Sequence, residues 1–156
     1  MGKNRTNNYL GRDLSKKREP DKISKEKRSS LMSKIRSRGT KFETDFIDKL
    51  KTKTRKRYQL NVKELRGKPD IVFSRYKLCV FLDSDFWHGW QYPRWKHLLK
   101  NDFWRNKIEA NRARDKKNTA WLRRNGWTVL RIWEHNIKKN PEAEIGRILK
   151  ILDKRC

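Results

Sequence analysis

The chain has 156 residues, with 43 Lys and Arg against 18 Asp and Glu and a formal charge of +25 at pH 7. An excess that large exceeds what solubility needs and points to a polyanionic partner: nucleic acid, or the blander options of ribosomal RNA and an anionic membrane surface. Seven Trp, six Phe and four Tyr exclude a purely disordered basic protein, and no apolar run approaches the ~20 residues that cross a bilayer.

In chain order, residues 1–22 are Lys, Arg, Asn and Gly with few apolar side chains, and read as a flexible basic arm that either orders on phosphate or stays solvated. Residues 23–156 form one expected domain. Leu31, Met32 and Ile35 suit a short helix over 24–37, broken by Arg38-Gly39. Thr40 and Glu43 have the capping-box spacing, and Phe42, Phe46, Ile47 and Leu50 give the next helix its buried stripe. Residues 58–62 read as a strand, and 70–73 and 78–82 as a hairpin turning through Ser74-Arg75-Tyr76-Lys77. Residues 89–101 are expected to be irregular. A long helix follows from about 101 to 124, with Ile108, Ala113, Ala120, Trp121 and Leu122 available for packing and Gly126 at its C-terminal cap. Residues 127–133 then form a strand, and Asn140-Pro141 opens a last helix lined by Ile145, Ile148, Leu149 and Ile151. The order α-α-β-β-β-α-β-α predicts an α/β fold, a mixed central sheet flanked by helices.

The most informative stretch runs from Asp70 to His88, where three carboxylates and a histidine crowd together in a basic protein. Carboxylate-held divalent metal beside Lys and Arg is the equipment of phosphodiester hydrolysis. Asp70 follows the stiff Pro69 at a strand head, and the hairpin would bring it to Asp83; the competing reading is a turn acid bonded to local amides. Glu43 either serves the metal's water or only caps its helix. His88 is suited to taking a proton from attacking water, while His97 and His135 lie away from the acids. Phe86 and Trp87 are core anchors or wedges between base steps, and Met32 can join such a wedge. Cys79, in an apolar run, reads as a buried thiol. Two cysteines do not make a zinc site, which needs four Cys or His ligands.

These residues bring a family into view. The segments Met32-Ser-Lys-Ile-Arg-Ser-Arg-Gly-Thr40, Gly67-Lys-Pro-Asp70, Val80-Phe-Leu-Asp83-Ser-Asp-Phe-Trp-His88, Trp104-Arg-Asn-Lys-Ile108 with Asn111 and Arg114-Asp115, and Gly126-Trp-Thr-Val-Leu-Arg-Ile-Trp-Glu134 resemble the very short patch repair (Vsr) endonucleases. Those enzymes nick DNA beside T:G mismatches left by deaminated 5-methylcytosine. The resemblance covers about residues 27–152 and implies a restriction-endonuclease-like core. It implies that Asp70 and the main-chain carbonyl of Leu82 hold Mg²⁺, that His88 activates water, that Asp83 fills another active-site position, and that Glu43 supports the metal's water shell. Met32, Phe86 and Trp87 would intercalate, and the N-terminal arm would embrace the duplex. Asp85, Trp90, Tyr92 and His135 stand about where zinc-bearing members carry Cys and His. The resemblance thus implies a zinc-less variant, its loop held by packing around Trp90, Trp95 and Trp133.

The expected function is Mg²⁺-dependent nicking at T:G mismatches, with Arg112, Arg114, Lys116 and Lys117 on phosphates. Two alternatives stand beside it: a restriction-type nuclease reading sequence in matched duplex, and a non-catalytic DNA-binding protein, against which the placement of Asp70 and Asp83 argues. The expected partner is double-stranded DNA, with repair-pathway proteins and no membrane, for a cytoplasmic, nucleoid-associated monomer.

Overall fold

The first described helix, α1 (Lys41–Lys53), starts at an extended Thr40 and buries Phe46 and Leu50 completely. The structure, a computed structural model, describes residues 39–156. The expected arm over 1–22, the helix over 24–37 and Met32 lie outside the described residues. The expected capping box does not form, since Glu43 reaches one residue past the cap. Glu43 Oε2 accepts from the main-chain N–H of Gly39 at 2.7 Å, whereas the Thr40 hydroxyl makes no capping bond.

Four strands form one sheet in the order β1-β2-β3-β4: Gln59–Leu60, Ile71–Phe73, Leu78–Asp83 and Thr128–Trp133. β2 and β3 are the expected antiparallel hairpin, closed by a short 3₁₀ turn over Ser74–Tyr76 and by Lys77 in the left-handed region (φ 50°). β3 and β4 run parallel, with Val80 opposite Leu130 and Phe81 opposite Arg131. Parallel neighbours cannot be joined by a tight turn, so a crossover is required. It is made here by α2 (Tyr92–Trp95), a 3₁₀ turn (Lys96–Leu98) and the long α3 (Asp102–Arg124). Asn101 caps α3 by accepting from the Phe103 N–H at 2.9 Å, and Gly126 (φ 81°) follows its last turn. After β4 come α4 (Glu134–Lys139) and α5 (Pro141–Asp153).

The hydrophobic surface has two sides because side chains on a strand alternate. Ile71, Phe73, Leu78, Val80, Leu82, Leu130 and Ile132 face one way and pack with Phe46 and Leu50 of α1, Ile137 of α4 and Ile145, Ile148 and Leu152 of α5. Val72, Cys79, Phe81 and Val129 face the other way, against Leu122 of α3. The result is a three-layer α/β fold of the kind expected. Burial on both faces accounts for the unbroken apolar run of β3.

Four local expectations are revised. Residues 89–101 are not irregular throughout, since they hold α2 and a 3₁₀ turn. α4 is an additional helix. On α3, Ala113 and Ala120 are exposed, while Asn118 is buried and Asp115 is turned partly inward. On α5 the deepest positions are Ile145, Ile148 and Leu152, with Leu149 and Ile151 half-buried.

Phe46 is buried against both the sheet and the C-terminal helices. Phe46→Ala is expected to lower unfolding free energy by about 3–5 kcal/mol in a urea titration; a loss below about 1 kcal/mol would show that α1 is not part of the core.

Candidate active site

Strand alternation decides where the acids go. Leu82 points toward α1 and α5, so Asp83 points toward α3, on the same face as Phe81. In the parallel register, Arg131 lies opposite Phe81 and so shares that face. Asp70 immediately precedes β2 and carries the ladder one step further, its N–H donating to Val80 O at 3.0 Å. Its carboxylate oxygen Oδ2 accepts from the Leu82 N–H at 2.7 Å. Asp70 is therefore fixed against the end of β3 next to Leu82. The loop before it needs Gly67. A Cβ there would lie 3.2 Å from Asn118 Cβ and 3.3 Å from the Phe81 ring, and the backbone is left-handed (φ 84°).

His88 arrives on the loop leaving β3. Its N–H donates to Ser84 O at 3.1 Å, and Asn111 of α3 donates to Trp87 O at 3.1 Å. Gly89 (φ 70°) lets the chain pass beneath α3, where a Cβ would lie 2.7 Å from Arg112 Cδ and 3.1 Å from Ile108. The loop thereby delivers the imidazole to Asp115 of α3: His88 Nδ1 lies 2.6 Å from Asp115 Oδ2 and 3.7 Å from Asp83 Oδ1. Arg131 completes the group. Its Nε and Nη2 donate to the two oxygens of Asp83 at 2.6 and 2.9 Å, Nη1 donates to Thr119 Oγ1 at 3.2 Å, and Nη2 lies 3.3 Å from Asp115 Oδ1.

Burial alone would pull the His88 pKa down, but the bond to Asp115 and the charges of Asp83 and Asp115 outweigh it, and the value rises above the usual 6.5. Arg131 opposes that rise. For Asp115, burial pushes up, yet His88 and Arg131 hold the carboxyl below its ordinary value. Arg131 itself is penalised by burial and more than compensated by Asp83, Asp115 and Asp70, so all four groups share one field.

The structure thus brings Asp70, Asp83 and His88 to one end of β3, on the α3 face. Glu43 is not tied to that group; its described bond is to Gly39, the capping alternative. Asp83 was a candidate second metal ligand, but a guanidinium already engages both of its oxygens, because the parallel register sets Arg131 beside it. Asp70 and the Leu82 carbonyl lie at the same end of β3, and one carboxylate with a main-chain carbonyl is a donor set of the kind Mg²⁺ takes, its other positions filled by water and phosphate. Asp115 and Arg131 were the residues that sequence reasoning left without roles. Each had a signal: an acid among the bases of α3, and a charge inside an apolar strand.

The aromatic residues form a wall beside this group. Phe86 stacks on Trp95 at 5.8 Å and meets Trp87 edge-on, and Trp87 in turn packs on Trp104. Lys107 lies 5.2 Å over the Trp87 ring. Arg112, Arg114, Lys116 and Lys117 are exposed along α3, although Arg112 also lies 5.3 Å over the Tyr92 ring. A structural zinc does not fit the loop. Tyr92 gives its hydroxyl to Glu109 at 2.9 Å, Trp90 meets His135 at 4.5 Å with the rings tilted and packs on Trp133, and His135 Nδ1 pairs with Asp85 Oδ1 at 2.7 Å. Asp85 Oδ2 is buried without a hydrogen-bond partner among the described residues, but two donor side chains fall short of tetrahedral zinc.

The family model for the DNA mismatch endonuclease Vsr matches residues 20–94. The type II nicking enzyme V.HpaIIP of Haemophilus parainfluenzae is 37% identical over 139 residues, covering 87% of this chain and 98% of that one. The type II nicking enzyme V.XorIIP of Xanthomonas oryzae pv. oryzae is 38% identical, covering 85% and 97%. The DNA mismatch endonuclease Vsr of Escherichia coli strain K12 is 32% identical over 69% of each chain.

Two outcomes follow from this geometry. In the metal-free protein His88 should titrate above 6.5 by NMR, and Asp115→Asn should bring its midpoint down, because burial then prevails; an unmoved midpoint would remove Asp115 as the cause. A zinc chelator should leave the melting temperature unchanged, whereas Trp90→Ala should lower it; a chelator-induced drop would show that metal holds the loop.

Proposed function

The chain belongs to the Vsr family and is a DNA endonuclease, and from that premise we propose that it nicks one strand of duplex DNA at T:G mismatches, with Mg²⁺ as cofactor. The observation carrying this reading is the convergence of the Asp70 carboxylate and the Asp115-bound imidazole of His88 at one end of β3. Asp70 and the Leu82 carbonyl would hold the cation, which when bound supplies Lewis-acid stabilisation of charge on the phosphate oxygens.

The chain's own residues do the rest. Asp115 occupies Nδ1 of His88, so Nε2 is the nitrogen available to take a proton from water. The resulting hydroxide forms a bond to phosphorus as the P–O bond to the leaving strand breaks, and the imidazolium is stabilised by Asp115 and Asp83. Phe86 and Trp87 enter the stack at the mispair, whose weaker stacking lowers the cost of separating the bases. Met32 and the arm over 1–22 extend the grip, and Arg112, Arg114, Lys116 and Lys117 contact phosphates, so binding weakens steeply with salt. Such an enzyme works on the nucleoid, as a monomer on its duplex.

A second reading is nicking of matched duplex at a defined sequence. What favours it is that two of the relatives covering nearly their whole length are named type II nicking enzymes rather than mismatch endonucleases.

Cleavage of matched, T:G-mismatched and single-stranded DNA, each with Mg²⁺ or EDTA, separates the readings. Nicking confined to the T:G duplex with Mg²⁺ is expected; nicking of matched duplex gives the second reading, and binding without cleavage removes both. Asp70→Ala and His88→Ala should each reduce cleavage by at least ~100-fold while duplex affinity stays nearly unchanged. Native-rate cutting by Asp70→Ala would show that the metal lies elsewhere.

A further inference from the structure

Two carboxylates face one imidazole N–H in this centre. Asp115 Oδ2 is 2.6 Å from His88 Nδ1 and Asp83 Oδ1 is 3.7 Å from it. Left alone, like charges so placed compete for the proton and repel each other, and the ring can turn toward either. Arg131 removes the competition. Its fork takes both oxygens of Asp83, and the same Nη2 that bonds Asp83 Oδ1 also lies near Asp115 Oδ1. Arg131 lies against Asp83 Oδ1, Asp83 Oδ2 and Asp115 Oδ1, while the oxygen that His88 meets is Asp115 Oδ2.

The guanidinium is itself fixed. It lies 4.5 Å over the Phe81 ring and donates to Thr119, and its side chain is only 19% exposed. An arginine turned inward in this way is not placed as a phosphate-gripping arm.

We propose that Arg131 is the positioning residue of the centre: by clamping Asp83 and tethering Asp115, it assigns the His88 Nδ1–H to Asp115 and leaves Nε2 facing the water to be activated. The inference rests on the nuclease reading for its catalytic consequence, but not for its structural one. The groups around the imidazole are Asp83 from β3, Asp115 with its neighbour Arg114 from α3, and Arg131 from β4, with Asp70 acting on Arg131. Lysine cannot replace the fork, because one ammonium nitrogen does not reproduce its planar bidentate geometry.

The test uses Arg131→Met and Arg131→Lys in the full chain. Imidazole ¹⁵N spectra of the metal-free protein report which ring nitrogen of His88 carries the proton. The native protein should show one sharp Nδ1–H signal, and Arg131→Met an Nδ1–H signal split or exchange-broadened between Asp115 and Asp83. kcat on cleavable duplex should fall by about 100-fold in Arg131→Met and remain about 10-fold low in Arg131→Lys, with duplex Kd in EDTA unchanged. One sharp Nδ1–H signal in Arg131→Met, native kcat in Arg131→Lys, or a Kd that rises in step with the loss of kcat each overturns the proposal. If Arg131→Met fails to fold because Asp83 is buried without its partner, the Asp83→Asn/Arg131→Gln pair removes both charges. With the competing carboxylate gone together with its clamp, it should fold and keep a single Nδ1–H signal; a split or broadened signal there overturns the proposal as well. A native chain that cuts no duplex would sink the nuclease reading alone, since the tautomer measurement needs no cleavage.

Discussion

The two-residue period of β3 is the constraint on which the site depends. Every residue from Leu78 to Asp83 is buried, and the faces differ in what covers them: α1, α4 and α5 on one side, α3 on the other. A slip of one residue would turn Asp83 into the larger apolar core, where no described cation waits for it. It would also carry Leu82, whose N–H holds Asp70, away from that carboxylate. The parallel pairing with β4 adds the second condition, since it sets Arg131 beside Phe81 and within reach of Asp83. Register thus fixes the chemistry.

Bringing Asp83, Asp115, Arg131 and His88 together in a half-dry place costs desolvation for each ion. Mutual attraction offsets it only when hydrogen bonds are well formed. The Asp83–Arg131 pair meets that condition with two parallel bonds, and Asp115 meets it through His88. The arrangement is near neutral in itself, one guanidinium against two carboxylates with the imidazole supplying the balance when protonated. Asp70 lies beside them, its Oδ2 accepting from the Leu82 main-chain N–H and its charge acting on Arg131. Pairing of this kind lets a protein of charge +25 hold several carboxylates close together.

What was legible in the sequence was what neighbouring residues decide. The β2–β3 hairpin was readable from two β-rich runs around Ser74–Lys77, and both ends of α3 were marked by Asn101 and Gly126. The convergence of Asp70 with Asp83 followed from the hairpin. The partnership of Asp83 with Arg131 did not, because it needs the parallel register of two strands whose order in space no local pattern states. Asp115 was hidden for a similar reason: which side of a 23-residue polar helix faces the sheet depends on packing, and the exposed Ala113 and Ala120 misdirect a count of apolar positions. Glu43 was ambiguous because a capping carboxylate and a metal-supporting one look alike until the N–H of Gly39 is seen to claim it.

The loop after β3 shows how one backbone task passes from one chemistry to another. It must carry Phe86, Trp87 and His88 past α3 and hold them there, which a tetrahedral metal accomplishes by fixing four points of chain at once. Here the same fastening is divided. Asp85 receives the imidazole of His135, Trp90 lies between His135 and Trp133, and the Trp95 indole donates to Trp90 O at 2.7 Å. Each contact is weaker than a metal bond, but together they tie the loop to the end of β4 and to α2 over several residues. Aromatic packing has no fixed coordination number, so it tolerates small displacements of Phe86 and Trp87 that a metal would resist. A wall fastened in this way can shift without releasing His88, whose own attachment runs separately through Asn111 and Asp115 of α3.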